Sequence, residues 1–104
     1  MTENRVEAAG EWRRIQPTSG QLPPARSCAA HCIVGDDELF VFGGLDVDDS
    51  VHEDFWRYSI ERDTWEEVQV LSDIKPGARS RTCFAVCPSS LTIYMFGGNG
   101  RRKL

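Results

Sequence analysis

The sequence has little of what membrane, secreted and nucleic-acid-binding proteins need. No apolar run in its 104 residues approaches the roughly 18 residues of a membrane span, and no apolar segment follows the polar N-terminus as in a secretory signal. The formal charge is −4, so the chain lacks the basic excess of general nucleic-acid or anionic-membrane binders. We therefore predict an intracellular, cytoplasmic protein without nucleic-acid or membrane partners.

Motifs of catalysis and cofactor binding are missing as well. The sequence contains no Ser/His/Asp spacing typical of a triad, no Gly-x-Gly-x-x-Gly pattern and no phosphate-binding loop. Its two histidines share no motif, and we predict that His31 packs on a strand while His52 is solvated. We predict that the protein is not an enzyme, has no catalytic residues and binds neither a cofactor nor a metal ion.

The four cysteines form two pairs, Cys28 with Cys32 and Cys83 with Cys87, in which three residues separate the members. Two residues four apart on a strand lie about 13 Å apart, because a strand rises about 3.3 Å per residue. Such a pair is too far apart to share a zinc ion or to form a disulfide. We predict that the cysteines are thiols that pack as small apolar side chains on one face of their strands.

A helical period of apolar residues is also absent. From Glu11 onward, short alternating or apolar segments lie between turn signals rich in Gly, Pro, Asp and Ser, which predicts a succession of short β-strands. The segment 1–10 is polar and without a period, and we predict that it is a flexible tail.

What the sequence does contain is one pattern written twice. The matching pairs are Trp12 and Trp65, Arg26 and Arg79, and Gly43 and Gly97, which lie 53, 53 and 54 positions apart. A fixed period of this size indicates a repeat architecture, in which each unit buries its faces on its neighbours. Four-stranded antiparallel sheets stacked radially form a β-propeller, and about 50 residues per sheet is typical of one repeat type.

Labelling the four strands of a unit a, b, c and d, the predicted order is one strand, then four, then two. Strand d of a preceding blade occupies about 11–16, a full blade occupies about 26–70, and a partial blade occupies about 79–98. All of these lie in one repeat region, 11–104, which contains fewer than two complete blades. The ring of a propeller needs four to eight blades, so we expect a chain that does not close a ring.

The residues of both copies resemble the Kelch repeat. That family has a Pro-Arg-Ser-like segment leading into strand a, an apolar strand that ends in two glycines, an aromatic strand c and a Thr-Trp pair on strand d. The matching segments here are Pro24-Ala25-Arg26-Ser27, Leu39-Phe40-Val41-Phe42-Gly43-Gly44, Asp54-Phe55-Trp56-Arg57-Tyr58 and Thr64-Trp65, with Ala78-Arg79-Ser80 and Gly97-Gly98 in the second copy. The resemblance implies an all-β fold of Kelch-type β-propeller blades.

The resemblance also implies structural roles for the glycines and aromatics of the motif. Two glycines at the end of a buried strand permit positive φ and a close approach of backbones, and tryptophan offers a large apolar face to the neighbouring blade. The residues to which we assign these roles are Gly43, Gly44, Gly97, Gly98, Trp12, Trp56, Tyr58 and Trp65.

The strongest candidate for a binding site is an acidic loop between strands b and c. Its carboxylates are Asp46, Asp48, Asp49, Glu53 and Asp54. In an antiparallel four-stranded sheet, the b–c loop and the d–a connectors emerge at the same end. We therefore expect the acidic loop, the connectors 16–25 and 71–77 and the arginines Arg26, Arg79 and Arg81 to share one rim. A solvated hairpin loop is the alternative for the acidic residues, and a structural role is the alternative for Arg26 and Arg79.

Three hypotheses of function follow. The first is a Kelch-type protein-interaction module, a fragment or truncated form of a larger propeller protein, whose rim binds a protein partner with a basic segment. The second is a piece of a Kelch-related propeller enzyme or metal-dependent factor, similar to galactose oxidase or to specifier proteins. The third is a truncated product without independent function, which self-associates through unpaired blade edges.

Overall fold

The computed structural model describes residues 3–6, 10–17 and 20–100, of which residues 3–6 are described by their backbone alone. The strands are β1 Glu3–Val6, β2 Trp12–Ile15, β3 Ala30–Val34, β4 Glu38–Phe42, β5 Phe55–Ser59, β6 Thr64–Glu67, β7 Cys83–Cys87 and β8 Thr92–Phe96. Every strand pair is antiparallel, and the described residues contain no helix, so the predicted all-β fold is confirmed. It follows that no helix in these ranges could cross a membrane.

The strands form three sheets, ordered β1–β2, β3–β4–β5–β6 and β7–β8. The order along the chain is therefore two, four and two, and it differs from the predicted one, four and two. The additional strand is Glu3–Val6, which lies in the segment 1–10 predicted to be a tail. It pairs with Trp12–Ile15. Pairing of this kind uses backbone N–H and C=O groups, so a short polar strand leaves no apolar period in the sequence.

The four-stranded sheet has two faces of different composition. One face, which we call the tryptophan face, presents Leu39, Val41, Trp56, Tyr58 and Trp65, as the strand register requires. Trp56, Tyr58 and Trp65 are buried there, and Ile15 of β2 packs against them from the preceding sheet. The rings of Tyr58 and Trp65 lie 5.1 Å apart. This face is the apolar contact between the first two sheets.

The opposite face, the phenylalanine face, packs on the third sheet. It presents Phe40, Phe42 and Phe55, and the ring of Phe84 from β7 lies 6.3 Å from the rings of both Phe42 and Phe55. Strands β3 and β7 lie side by side. The sheets thus stack face to face in chain order. In each contact, the later sheet presents the face equivalent to the tryptophan face, and the earlier sheet presents the face equivalent to the phenylalanine face.

The sequence predicts these two strands over Ser27 to Val34 and Ser80 to Cys87, but β3 and β7 begin three residues later, at Ala30 and Cys83. Cys28 and Arg81, at equivalent positions of the segments that lead into these strands, have φ of +58° and +56°, and the N–H of Arg81 donates to the carbonyl of Cys28 over 2.9 Å. This left-handed turn excludes Ser27 from β3, and the backbone of Ser27 instead bonds to that of Leu45. The lead-in segments of neighbouring sheets are therefore joined by backbone contacts.

The cysteines depart from the predicted packing on one face. All four are free thiols, but Cys28 precedes β3 and is exposed, and Cys83 is exposed on β7. Cys32 is partly buried, and burial raises the pKa of its thiol. Hydrogen bonds from Ser89 and Ser90 lower the pKa of Cys87 to about 7. The left-handed turn displaces Cys28, and no described sheet covers the face of β7 that carries Cys83.

The two histidines have the reverse of their predicted environments. His31 on β3 is exposed, because that part of the tryptophan face is not covered by described residues. His52 is largely buried in the loop between β4 and β5, and its Nε2 has no hydrogen-bond partner among the described residues. Its backbone carbonyl accepts the N–H of Arg79 over 3.2 Å. The loop is thus packed on the next sheet at His52 and is not solvated along its whole length.

Candidate partner-binding rim

Arg26 lies at the centre of a compact set of hydrogen bonds that we call the arginine clamp. Its Nη1 and Nη2 donate to the two carboxylate oxygens of Asp54 over 2.5 and 2.8 Å, and Nη1 also donates to the carbonyl of Gly43 over 3.0 Å. Trp56 donates from Nε1 to Asp54 over 2.7 Å. The clamp ties the segment before β3, the end of β4 and the start of β5 together, and the Arg26 side chain is only 3% exposed.

The charge state of Asp54 is set by the clamp. Partial burial opposes its ionisation, but the hydrogen bonds from Arg26 and Trp56 and the positive charge of Arg26 outweigh burial and hold the pKa of Asp54 below its ordinary value. Asp54 is therefore an ionised structural group, and neither it nor Arg26 presents a free charge to a partner. This geometry favours a structural role for Arg26 over a role in partner binding.

Arg79 repeats part of the clamp in the next unit. Nε of Arg26 donates to the carbonyl of Pro24, and Nε of Arg79 donates to that of Gly77. Nη1 of Arg79 donates to the carbonyl of Gly97 over 3.3 Å, as Nη1 of Arg26 does to Gly43. The two arginines thus have the same role with respect to the backbone, although Arg79 is more accessible.

The b–c loop is fixed to the following sheet through its backbone. The N–H of Gly44 donates to the carbonyl of Arg79 over 3.0 Å, and the N–H of His52 donates to the carbonyl of Gly44 over 2.8 Å. Because these groups are parts of the main chain, the contact depends on conformation more than on side-chain identity. The loop and the segment that leads into β7 therefore form a single rigid part of the rim.

The acidic residues of the loop divide into internal and exposed groups. Oδ1 of Asp46 accepts the N–H groups of Asp48 and Ser50 over 2.8 and 3.1 Å, which folds the loop tip into a tight turn. Asp49 completes the turn with a φ of +62°. Asp48, Asp49 and Glu53 are exposed. Asp46 thus shapes the loop, and the neighbouring carboxylates face solvent.

Two of the exposed acids, Asp48 and Asp49, line a cleft on the rim together with Arg81, and we call it the rim cleft. Its volume is about 1140 Å³. It is lined by Leu45, Asp48, Asp49, Ser50, Val51, Ser80, Arg81, Gly98, Asn99 and Gly100. Two carboxylates on one wall and one guanidinium on the other give it a mixed charge, which suits a peptide segment better than a small apolar ligand.

The structure brings together only part of the predicted site. Asp48, Asp49 and Arg81 share the rim cleft, whereas Glu53 lines a second groove on the other side of the loop. Arg26 and Asp54 are bound to each other in the clamp. In the residues the structure describes, no group of three or more His, Cys, Asp or Glu side chains is placed to hold a metal ion.

The second groove was not predicted from the sequence. It lies between the phenylalanine face and the third sheet, with a volume of about 690 Å³. Its apolar walls come from Phe40, Phe42, Phe55, Val68, Val70, Phe84, Leu91, Ile93 and Met95. The short apolar runs of β4 and β8 predict strands that are apolar on both faces, but which face lacks a cover depends on where strands pair.

Comparison with known proteins identifies the family to which these stacked sheets belong. The model of the KLHDC2/KLHL20/DRC7 Kelch-repeats domain matches residues 6–103. The chain belongs to the Kelch-repeat family. The predicted resemblance is thereby confirmed, and the clamp arginines and paired glycines are parts of Kelch repeats.

Two curated relatives illustrate the range of the family. The chain is 29% identical over 94 residues to N-(sulfonatooxy)prop-2-enimidothioate sulfolyase of Thlaspi arvense, and 28% identical over 88 residues to Kelch domain-containing protein 1 of Mus musculus. These alignments cover 89% and 85% of this chain but only 26% and 21% of the relatives. The chain therefore spans about a quarter of the length of these proteins.

Proposed function

We propose that this Kelch-repeat chain is a protein-interaction module that works as part of a larger propeller and binds a protein partner through the rim cleft. The observation that carries the proposal is the placement of Asp48 and Asp49 opposite Arg81, on a loop fixed by the backbone hydrogen bonds of Arg79 with Gly44 and His52. A rigid scaffold with exposed charges avoids the entropy cost of ordering a flexible loop on binding. Lys or Arg side chains of a partner would face the two aspartates.

The role as part of a larger propeller is supported by the surfaces at both ends of the stack. Trp12 is 74% exposed on β2, and Phe96 is 83% exposed on β8. Aromatic side chains on the faces of stacked sheets are normally covered by the next sheet. The curated relatives, four to five times as long as the aligned segment, contain enough chain for such sheets.

We further propose that the protein acts in the cytoplasm by binding alone, without catalysis, cofactor, nucleic acid or membrane. The net charge of −4 disfavours polyanionic partners. The exposed groups of the rim cleft are charges suited to ion pairing with a peptide, and such pairs give specificity and fast association more than high affinity.

Neutralising the two cleft aspartates is expected to weaken partner binding. In Asp48→Asn/Asp49→Asn, two exposed ion pairs are lost, each worth about 0.2–1 kcal/mol, so affinity falls by a factor of about 2 to 30 in all. The measurement is quantitative affinity capture at low and high salt, followed by titration of the captured partner. The salt dependence of binding becomes shallower in the variant.

A matched control places the same charge change elsewhere. Asp36→Asn/Glu61→Gln removes two exposed negative charges from turns at the opposite end of the strands and should leave binding within twofold of the wild type. Equal capture of the partner by the Asp48→Asn/Asp49→Asn variant and the wild type at low salt would contradict the proposal that the rim cleft binds the partner.

A second candidate function rests on the relative from Thlaspi arvense, whose name is that of a sulfolyase. On this alternative the chain is a piece of a Kelch-related lyase. Incubating the protein with N-(sulfonatooxy)prop-2-enimidothioate and measuring sulfate by ion chromatography separates the candidates. The binding proposal predicts that sulfate is released at the uncatalysed rate. Sulfate release that rises in proportion to protein concentration would favour the lyase alternative.

A further inference from the structure

The two outer sheets are the two halves of one blade. Trp12 on β2 is equivalent to Trp65 on strand d, and it pairs with Val6 as Trp65 pairs with Tyr58. Strands β1 and β2 therefore correspond to strands c and d. Strands β7 and β8 precede Gly97 as β3 and β4 precede Gly43, so they correspond to strands a and b. The described residues thus contain strands equivalent to those of two blades, and the strands of one of these blades are divided between the first and third sheets.

The edges that would join the two halves are both open. In the described part of the chain, no strand pairs with the second edge of β8 or with the second edge of β1. In the complete sheet these edges correspond to the junction of β4 with β5. An unpaired edge presents a row of N–H and C=O groups that template another strand.

The direction of the free backbone groups follows from the complete sheet. The N–H of Gly43 donates to the carbonyl of Asp54, and the N–H of Ile60 donates to that of Asp37. Hydrogen-bonded pairs recur at every second residue between these two, so Val41 and Trp56 form one of them. Val41 is equivalent to Met95, and Trp56 is equivalent to Asn4. The N–H groups of Met95 and Asn4 therefore point outward from their hairpins.

Apolar surface lies beside each open edge in a complementary arrangement. The groove of about 690 Å³ lies beside β8 and is bounded by Phe55 and Met95. Trp12 is exposed on the face of β2 that corresponds to the tryptophan face. Arg14 shares that face, and Glu53 and Glu67 line the groove together with one base, Lys75. A hairpin with an exposed tryptophan and an arginine therefore fits the groove in both polarity and charge.

We propose that the 104-residue chain on its own assembles head to tail, with a second copy in the place that further sheets have in a larger propeller. The β1–β2 hairpin of the second copy is added to β8, so that a complete four-stranded blade forms. Met95 pairs with Asn4 of the second copy, and Trp12 of that copy enters the groove. The exposed face of β8, with Tyr94 62% and Phe96 83% exposed, then packs on the tryptophan face of the second copy near the exposed Ile33. This one contact covers the large apolar surfaces that the described residues leave open at the two ends.

The contact is heterologous, so its geometry determines the size of the assembly. The same pairing repeated around an axis generates a ring if the rotation closes. Each copy contributes strands for two blades, and propellers contain four to eight blades, so closed assemblies contain two to four copies. We expect a single species with two to four times the 11.7 kDa mass of one chain, measured by light scattering after size-exclusion chromatography.

Two single variants and their mixture test the pairing. Met95→Pro removes the outward N–H of the acceptor edge, and Asn4→Pro removes that of the donor edge, while the bonds inside each hairpin remain. Each variant alone is expected to be a monomer or to form only weak oligomers. The mixture of the two should form a 1:1 dimer, because each variant retains the edge that the other has lost. Recovery of binding in the mixture also shows that both variants are folded.

The outcomes that overturn the proposal are distinct from those that bear on the rim cleft. The pairing would be excluded if the wild-type chain remained a monomer over a 100-fold range of protein concentration. It would also be excluded if the oligomers persisted unchanged in both proline variants. A mixture that stays monomeric would also exclude it. The Asp48→Asn/Asp49→Asn variant should assemble as the wild type does, so loss of partner binding and loss of assembly are measured separately.

Discussion

Replacing Asp54 by alanine is expected to lower the free energy of unfolding by about 3 kcal/mol, because it leaves Arg26 charged and buried without a counterion. Arg26 is 3% exposed, and Asp54 supplies both carboxylate oxygens to it. Trp56 loses the acceptor of its indole N–H in the same variant. The measurement is urea-induced unfolding followed by tryptophan fluorescence at one fixed protein concentration, since assembly makes stability concentration-dependent.

The matched control for this variant is Asp48→Ala in the same loop. Asp48 is exposed, and its carboxylate is not part of the clamp, so the change should cost less than about 0.5 kcal/mol. Equal effects of the two substitutions would contradict the structural role of Asp54.

The pH dependence of unfolding gives an independent check on the same carboxylate. The pKa of Asp54 is lower in the folded protein than its unfolded value of about 3.9, so its contribution is fully present above that pH. The contribution is lost as pH falls through the folded pKa. The stability difference between wild type and Asp54→Ala should therefore shrink below about pH 4.

The parts of the fold that could be predicted from the sequence are those fixed by a single side chain. Trp56, Tyr58 and Trp65, to which the motif assigns structural roles, are buried between sheets, whereas Trp12, which has the same assigned role, is 74% exposed. The period of the tryptophans and glycines likewise reports the repeat directly. These signals are local in the sequence, so they can be detected without knowing which strands meet.

The parts that could not be predicted depend on pairs of distant residues. Arg26 and Asp54 are 28 positions apart, and nothing in either neighbourhood shows that they form an ion pair. Both were candidates for partner binding for that reason, whereas Asp48, Asp49 and Arg81 lie together in the rim cleft. A charged residue in a loop has the same appearance in the sequence whether it faces solvent or an ion-pair partner far along the chain.

Strand β1 shows a second limit of the sequence pattern. The segment Glu3–Val6 is mostly polar, and its place in the sheet comes from backbone pairing with Trp12–Ile15. Without it, the N-terminal unit would supply only strand d, and the two ends of the chain could not combine to form a blade. The consequence for assembly therefore depends on the one strand that the apolar pattern did not reveal.

Replacing Gly43 by alanine is expected to have the largest effect of any glycine substitution at the sheet junction. A Cβ atom at Gly43 would lie 2.2 Å from the carbonyl oxygen of Arg79, which is a main-chain atom that cannot rotate away. That same carbonyl accepts the N–H of Gly44, and the Arg79 N–H donates to His52, so displacing it breaks two hydrogen bonds between sheets. We expect a loss of about 3 kcal/mol or more in the free energy of unfolding, of which about 1 kcal/mol is the cost of a positive φ.

Gly97→Ala provides the control that separates the cost of positive φ from the cost of the collision with the Arg79 carbonyl. Gly97 occupies the equivalent position in the second copy and has a φ of +78°, close to the +69° of Gly43, but no described atom lies within 4 Å of its added Cβ. The cost of positive φ is therefore present in both variants, and the collision with Arg79 is present in one. Urea unfolding in the Met95→Pro background, in which the proposed assembly does not form, should show Gly43→Ala to be less stable than Gly97→Ala by about 2 kcal/mol or more. Equal stabilities would mean that the sheets separate at this junction without cost, and the rim would then not be rigid there.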